Sequence, residues 1–176
     1  SSYLIKESSP KKAFAIFMDK THKGFNGLCI SRLTQAELAE KYGLDNGAFI
    51  WLSDTKEKNI VSASDLATIA KPIHEHLRKP QKNIIILDRL DYLITKHGFD
   101  NVLRFITSIN DRIMTTNAIL LIPLDPSTLS ARDTSCIEKE LKDLPHPTPH
   151  AVLPEDLLNI LKFVANRKAL GKTATY

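Results

Sequence analysis

Short runs of aliphatic residues alternate with longer amphipathic segments along most of the chain. The clearest run is residues 84–87, four consecutive aliphatic positions that are followed by Asp88. Such a run is too short for a free-standing helix and is apolar on both faces, which indicates a buried, parallel strand. Comparable runs, which we also predict to be strands, occupy residues 3–5, 28–30, 49–52 and 118–122.

Apolar residues recur at helical spacing between these runs. Thr34 and Glu37 form a capping box, in which a hydroxyl and a carboxylate satisfy the first amides of a helix, and Gly43 is placed to end that helix. Strands that alternate with helices of this size form βαβ units. The predicted fold class is therefore α/β, with a three-layer, mainly parallel sheet flanked by helices.

The composition changes near residue 145. Residues 145–154 contain four of the nine prolines in the chain, which is typical of an extended spacer. The residues beyond it return to helical spacing. We therefore predict an α/β domain at residues 1–144, a proline-rich linker at residues 145–154 and a C-terminal helical extension at residues 155–176.

Composition excludes few classes of function. A hydrophobic share of 43% is ample for a core, and a net charge of +4 is compatible with nucleic acid without demonstrating it. Two cysteines provide neither a disulfide framework nor a paired metal motif. No apolar run approaches the roughly 20 residues of a membrane span. We expect a cytoplasmic protein that does not enter a membrane, and the initial serine suggests a fragment of a longer one.

Four charged residues follow predicted strands and should meet at one edge of the sheet. In open α/β sheets, ligands bind outside the carboxyl ends of the strands. These side chains could hold a hydrated cation and a phosphate, although the polar edge of any such sheet looks similar. For Asp88 the alternative is a helix cap. The candidate residues are Arg32, Asp54, Asp88 and Asp125.

A phosphate-binding loop is absent from its expected place. Residues 6–12, between the first apolar run and the first helix, contain no glycine, and Glu7 would repel a phosphate. Lys11 and Lys12 remain the only candidate phosphate contacts there. The later residues 171–173 resemble the end of such a loop, but they follow a helix, and Asn166 replaces the required first glycine.

No other constellation in the sequence predicts catalysis. His74 and His76 are two residues apart on a helix and therefore point in nearly opposite directions, so they cannot share a metal. No serine, threonine or cysteine has a recognisable base partner. We therefore predict no metal site, no cofactor and no catalytic residue.

The chain resembles an archaeal family known as Domain of Unknown Function 835. The resemblance covers about residues 2–142, in order and with family-like spacing. The segments that carry it are SYLIKESSPKKAFAIF, GFNGLCISR, KYGL, FIWLS, LDRLDYLITKHGFDNVLRF and LLIPLDPSTL.

The same order is similar to a degenerate version of the RecA and KaiC ATPases. In those enzymes a Walker A loop follows the first strand, and a later strand that ends in aspartate supplies the Walker B carboxylate. The resemblance implies that Asp88 occupies the place of that carboxylate. Since residues 7–12 replace the glycine loop, the resemblance does not extend to ATP hydrolysis.

Three hypotheses follow for function. The first is a non-catalytic interaction or sensor module of an archaeal regulatory protein, acting by self-association or by binding a partner protein. The second is a divergent nucleotide-binding or ATPase domain that uses Lys11, Lys12, Asp88 and Asp125. The third is a DNA-binding regulator, because residues 161–176 look like the opening helix of an archaeal winged-helix domain.

Overall fold

A computed structural model describes residues 1–54, 60–62 and 65–143 of the chain. Seven strands lie in this part. Their bounds are β1 Ser2–Lys6, β2 Asn26–Ser31, β3 Ala48–Ser53, β4 Ile60–Ser62, β5 Asn83–Leu87, β6 Ile119–Leu124 and β7 Lys142–Asp143.

Six α-helices in the same part connect these strands. Their bounds are α1 Lys11–His22, α2 Gln35–Tyr42, α3 Leu66–Leu77, α4 Leu90–His97, α5 Phe99–Thr115 and α6 Ala131–Glu140. The capping box at Thr34 and Glu37 is present, and Gly43 ends α2 in the left-handed conformation, as predicted. A single 3-10 turn, Pro126–Thr128, follows β6.

The strands form one sheet in the order β4-β3-β2-β5-β6-β1-β7, and every pairing in it is parallel. Chain connections towards β4 pass through α1 and α2, whereas those towards β7 pass through α3, α4, α5 and α6. The predicted α/β class, with a parallel sheet between helical layers, is confirmed. The predicted domain boundary near residue 144 and everything after it lie outside the described residues.

Each face of the sheet has its own apolar core. On one face, α1 and α2 contribute Phe14, Phe17 and Leu38 to a cluster with alternate residues of the central strands. On the other face, α3, α4, α5 and α6 cover the remaining residues of those strands. Because both faces are covered, all five residues of β5 are buried. This explains why its sequence is continuously aliphatic apart from Asn83 at its start.

The parallel register places particular residues side by side where the strands end. Lys6 of β1 pairs with Leu124 of β6, and Ile30 of β2 pairs with Leu87 of β5. The next residue along each strand is therefore also adjacent to its neighbour. The register positions Glu7 beside Asp125, and it positions Ser31 beside Asp88.

Two edge strands were missed by the sequence analysis, which predicted no strand between residues 53 and 84 and none after residue 122. β4 has three residues and β7 has two, which is shorter than any periodicity can reveal. In the part of the chain that the structure describes, no helix is long and apolar enough to cross a bilayer.

Gly27 marks a close approach between β2 and α1. A Cβ atom at this position would lie 2.7 Å from Cγ2 of Thr21 and 2.8 Å from Cζ of Phe17. We expect Gly27→Ala to destabilise the fold by about 1–3 kcal/mol through overpacking, measured by urea denaturation. The Thr21→Ser background removes one of the two clashing atoms, so the same substitution should cost less there. An equal cost in both backgrounds would contradict this packing.

Candidate functional site

Asp88 is a buried carboxylate at the carboxyl end of β5. Only 4% of the residue is exposed, and its Oδ2 accepts a hydrogen bond of 2.9 Å from the Ser31 hydroxyl at the end of β2. Burial raises the pKa of Asp88 above its ordinary value, and the hydrogen bonds from Ser31 and the Arg89 amide partly oppose that rise. The site therefore holds Asp88 in an environment that disfavours its charge.

The expectation that Asp88 caps α4 is wrong. The residue at the N-cap position is Arg89, which has no side-chain capping hydrogen bond and lies in the left-handed region with φ of 71°. A residue with a Cβ atom pays roughly 1–2 kcal/mol for that conformation. The Arg89 guanidinium pairs with both carboxylate oxygens of Asp91, at 3.1 and 3.2 Å. Backbone strain and a buried carboxylate therefore occur at adjacent residues.

Glu7 occupies the amides at the start of α1. Its Oε1 accepts a hydrogen bond of 2.9 Å from the Lys12 amide, and its Oε2 accepts one of 3.0 Å from the Ala13 amide. Burial raises the pKa of Glu7, these two amides oppose the rise, and the charge of Asp88 adds to it. The amides at a helix N-terminus are the groups that bind phosphate in many proteins. Here a side chain of the same chain takes that place.

A cavity of about 150 Å³ lies at this edge of the sheet, between the segments that follow β1, β5 and β6. We call it the strand-end pocket. It is smaller than most ligand pockets, which have volumes of roughly 300–1,000 Å³. Its lining consists of Glu7, Ser8, Pro10, Asp88, Arg89, Asp91, Pro123, Leu124, Asp125 and Thr128.

The charges around the strand-end pocket are predominantly negative. Four carboxylates line it, whereas Arg89 is the one cationic residue of the lining and is already paired with Asp91. Lys11 and Lys12, the predicted phosphate contacts, do not line the pocket. An incoming phosphate would therefore meet net repulsion. Within the described residues, no group of three or more histidine, cysteine, aspartate or glutamate side chains is arranged to hold a metal ion.

Asp125 has a local structural role at the same edge. Its Oδ1 accepts hydrogen bonds from the amide and the hydroxyl of Ser127, at 3.0 and 2.7 Å, and so caps the turn Pro126–Thr128. These two donors lower the pKa of Asp125. The carboxylate that the sequence suggested as a ligand group is therefore engaged in ending β6.

Arg32 and Asp54 belong to a second cluster, separate from the strand-end pocket. The Arg32 guanidinium lies 4.4 Å from the centre of the Tyr92 ring and donates to the Leu52 carbonyl oxygen at 2.7 Å. The Tyr92 hydroxyl donates to Asp54 at 3.3 Å, and Lys96 forms an ion pair with the same carboxylate. The four candidate residues all follow strands, but the structure brings them together as two groups.

Sequence reasoning missed the roles of three residues at this edge of the sheet. Ser31 lies at the end of a strand, and Asp88 was singled out because of a similar position. The sequence contains no other signal for Ser31. Arg89 gave none, because a left-handed arginine is not visible in a sequence. Glu7 was noted as a group that repels phosphate, but its pairing with the helix amides requires the three-dimensional turn.

A family model described as "Protein of unknown function (DUF835)" matches residues 6–141. The chain belongs to the DUF835 family. The match starts at the last residue of β1 and ends just before β7, so the strand-end pocket lies within the DUF835 domain. No curated protein matches the chain.

Asp88→Asn tests the electrostatic strain in the pocket. Because folding raises the pKa of Asp88, the folded state binds its proton more readily than the unfolded chain does. Stability therefore falls as the pH rises from the ordinary aspartate pKa through the raised one. We expect Asp88→Asn to raise the melting temperature at pH 7.5, and this gain should shrink as the pH falls towards 4.

The matched control for this substitution is Asp45→Asn, at an exposed residue before β3. We expect it to leave the melting temperature unchanged across the same pH range. A change on the order of 1 kcal/mol moves the melting temperature of a chain of this length by about 2–4 °C, which is readily measured. A loss of stability in Asp88→Asn at pH 7.5 would show instead that the charged carboxylate stabilises the fold.

Proposed function

We propose that this DUF835 chain is a non-catalytic interaction or sensor module of an archaeal regulatory protein, acting in the cytoplasm by self-association or by binding a partner. The observation that carries the proposal is the position of Glu7. Its carboxylate takes the Lys12 and Ala13 amides, which are the groups that a nucleotide phosphate would need.

The arrangement of strands supports descent from a RecA-like or KaiC-like ATPase. β1, β2 and β5 hold the positions that the resemblance gives to the Walker A strand, the second strand and the Walker B strand. Asp88 directly follows β5 and Glu7 directly follows β1, and both line the strand-end pocket. On this interpretation, the carboxylate of an ancestral magnesium site remains, while the phosphate site is filled by the chain itself.

Charge and volume argue against nucleotide turnover in the pocket. A phosphate would have to displace Glu7 from the Lys12 and Ala13 amides. Because Glu7 belongs to the same chain, its effective concentration at these amides is high. It would also approach Asp88, Asp91 and Asp125 in a cavity of about 150 Å³. These features favour a scaffold that binds through other surfaces.

The rival hypothesis is a divergent nucleotide-binding or ATPase domain. The observation in its favour is the buried Asp88 carboxylate next to the strained Arg89, because such costly features concentrate at functional sites. The DNA-binding hypothesis based on residues 155–176 concerns a segment outside the described residues, and it stays a prediction.

Thermal denaturation with nucleotides separates the first two hypotheses. We expect no rise in melting temperature with millimolar Mg-ATP, Mg-ADP or Mg-GTP. A native site at a hundredfold excess of ligand over its Kd would add about 2.7 kcal/mol. The comparison uses the wild-type chain, Asp88→Asn and the exposed-site control Asp45→Asn.

A saturable rise that Asp88→Asn abolishes and Asp45→Asn retains would overturn the proposal and establish the strand-end pocket as a nucleotide site. Steady, Asp88-dependent hydrolysis of ATP would do the same. In parallel, sedimentation of the wild-type chain over a range of concentrations distinguishes self-association from a monomer that requires another partner.

A further inference from the structure

A continuous groove runs between α3 and α5 on the face of the sheet opposite α1. Two open depressions, of about 440 and 720 Å³, share Ala67 and Ala70 in their lining and therefore adjoin as a shallow channel. We call this channel the α3–α5 groove. It lies on the opposite face of the sheet from α1, whose amides Glu7 caps.

Four cationic side chains line the groove in two rows. Lys71 lies on α3 and Arg78 is the C-cap residue of that helix, whereas Arg104 and Arg112 lie on α5. All four residues are exposed, and among the described residues none has a side-chain hydrogen bond or ion pair. None of the four charges is therefore held in an ion pair within the described part of the fold, unlike that of Arg89 in the strand-end pocket.

The acidic residues of the groove do not balance these charges. Glu75 and Asp65 line it, and the Asp65 carboxylate accepts a hydrogen bond of 2.9 Å from the Ala67 amide at the start of α3. His74 also faces the groove, and its Nε2 is buried without a hydrogen-bonding partner among the described residues. The groove therefore combines excess positive charge with an unsatisfied polar atom.

The spacing of the cations suits a repeating anion. With a rise of 1.5 Å per residue, the pair on α3 is about 10 Å apart along the helix axis and the pair on α5 about 12 Å apart. One strand of a nucleic acid duplex places about three phosphates in that distance, since each contributes about 3.4 Å of axial length. Three of the four cations are arginines, which pair with phosphate through two parallel hydrogen bonds.

A protein partner fits this groove less well than a phosphate backbone does. Protein interfaces derive most of their affinity from exposed aromatic or large apolar anchors. The groove has an alanine floor, and Phe105 in its wall is only 7% exposed. Met114 is the one exposed large apolar residue of the described part, and it does not line the groove. The absence of an exposed aromatic ring from the lining also disfavours stacking with single-stranded bases.

We propose that the α3–α5 groove binds the phosphate backbone of a nucleic acid duplex without reading its sequence. This inference rests on the proposed function, for which it names the class of partner. It is independent of the C-terminal residues 155–176, because every side chain invoked belongs to α3, to its cap residues or to α5.

The test is fluorescence anisotropy of the full chain with a labelled 20-base-pair DNA duplex at 50 and 200 mM salt. Two phosphate contacts are removed in the double variant Arg78→Glu with Arg112→Glu. We expect the affinity of this variant at 50 mM salt to be lower by a factor of about ten or more. The slope of log K against log salt concentration should become shallower by about 1.8, which corresponds to two lost phosphate contacts. A second duplex of unrelated sequence should bind equally well.

The matched control is the double variant Lys41→Glu with Lys139→Glu, which changes the net charge equally at exposed residues of α2 and α6 that do not line the groove. It should retain most of the affinity, and circular dichroism should show all chains folded. Binding that survives in the groove variant, or that falls equally in both variants, would overturn the inference. Equal, groove-dependent affinity for poly-glutamate would also overturn it and would assign the groove to an acidic protein.

The two proposals fail in different ways. An Asp88-dependent nucleotide shift would contradict the proposed function without affecting DNA binding. A failure to bind duplex DNA at 50 mM salt would contradict only the assignment of the groove, and the chain would remain a non-catalytic module with another partner.

Discussion

The hydrogen bonds from the first amides of α1 to the Glu7 carboxylate are the interaction on which the chemistry of this fold depends. They join the end of β1 to the helix that follows it, and they satisfy donors that every helix leaves unpaired at its start. A phosphate bound at this helix start would need the same amides. Because Glu7 supplies the anion from within the chain, the start of α1 is capped without a bound ligand.

Several features around this pocket cost stability instead of adding it. Asp88 is buried with a raised pKa, and Arg89 beside it adopts a left-handed backbone conformation. The parallel register of β2 and β5 holds Ser31 next to Asp88, and the hydrogen bond between them offsets part of the cost of these features. On the proposed interpretation, they descend from a catalytic edge, and partner binding has moved to the charged helical face.

The sequence predicted the layers well and the site only in part. Aliphatic runs such as residues 84–87 identify central strands because both faces of such strands are buried. The capping box at Thr34 is recognisable because it involves only residues that are close together in the sequence. Short edge strands such as β4 carry too few residues for a pattern. The division of Arg32 and Asp54 from Asp88 and Asp125 depends on strand order, which no local signal contains. The capping role of Glu7 likewise depends on how the turn after β1 folds back on α1.

The most direct test of the central claim is nuclear magnetic resonance of the Lys12 and Ala13 amides during titration with inorganic phosphate. If Glu7 occupies these amides, their signals in the wild-type chain should stay unchanged. In Glu7→Ala, which frees the amides, the same signals should move in a saturable way, while Glu40→Ala should behave like the wild type. Saturable movement in the wild-type chain would show that the phosphate site is open, and it would contradict the internal capping of α1 by Glu7.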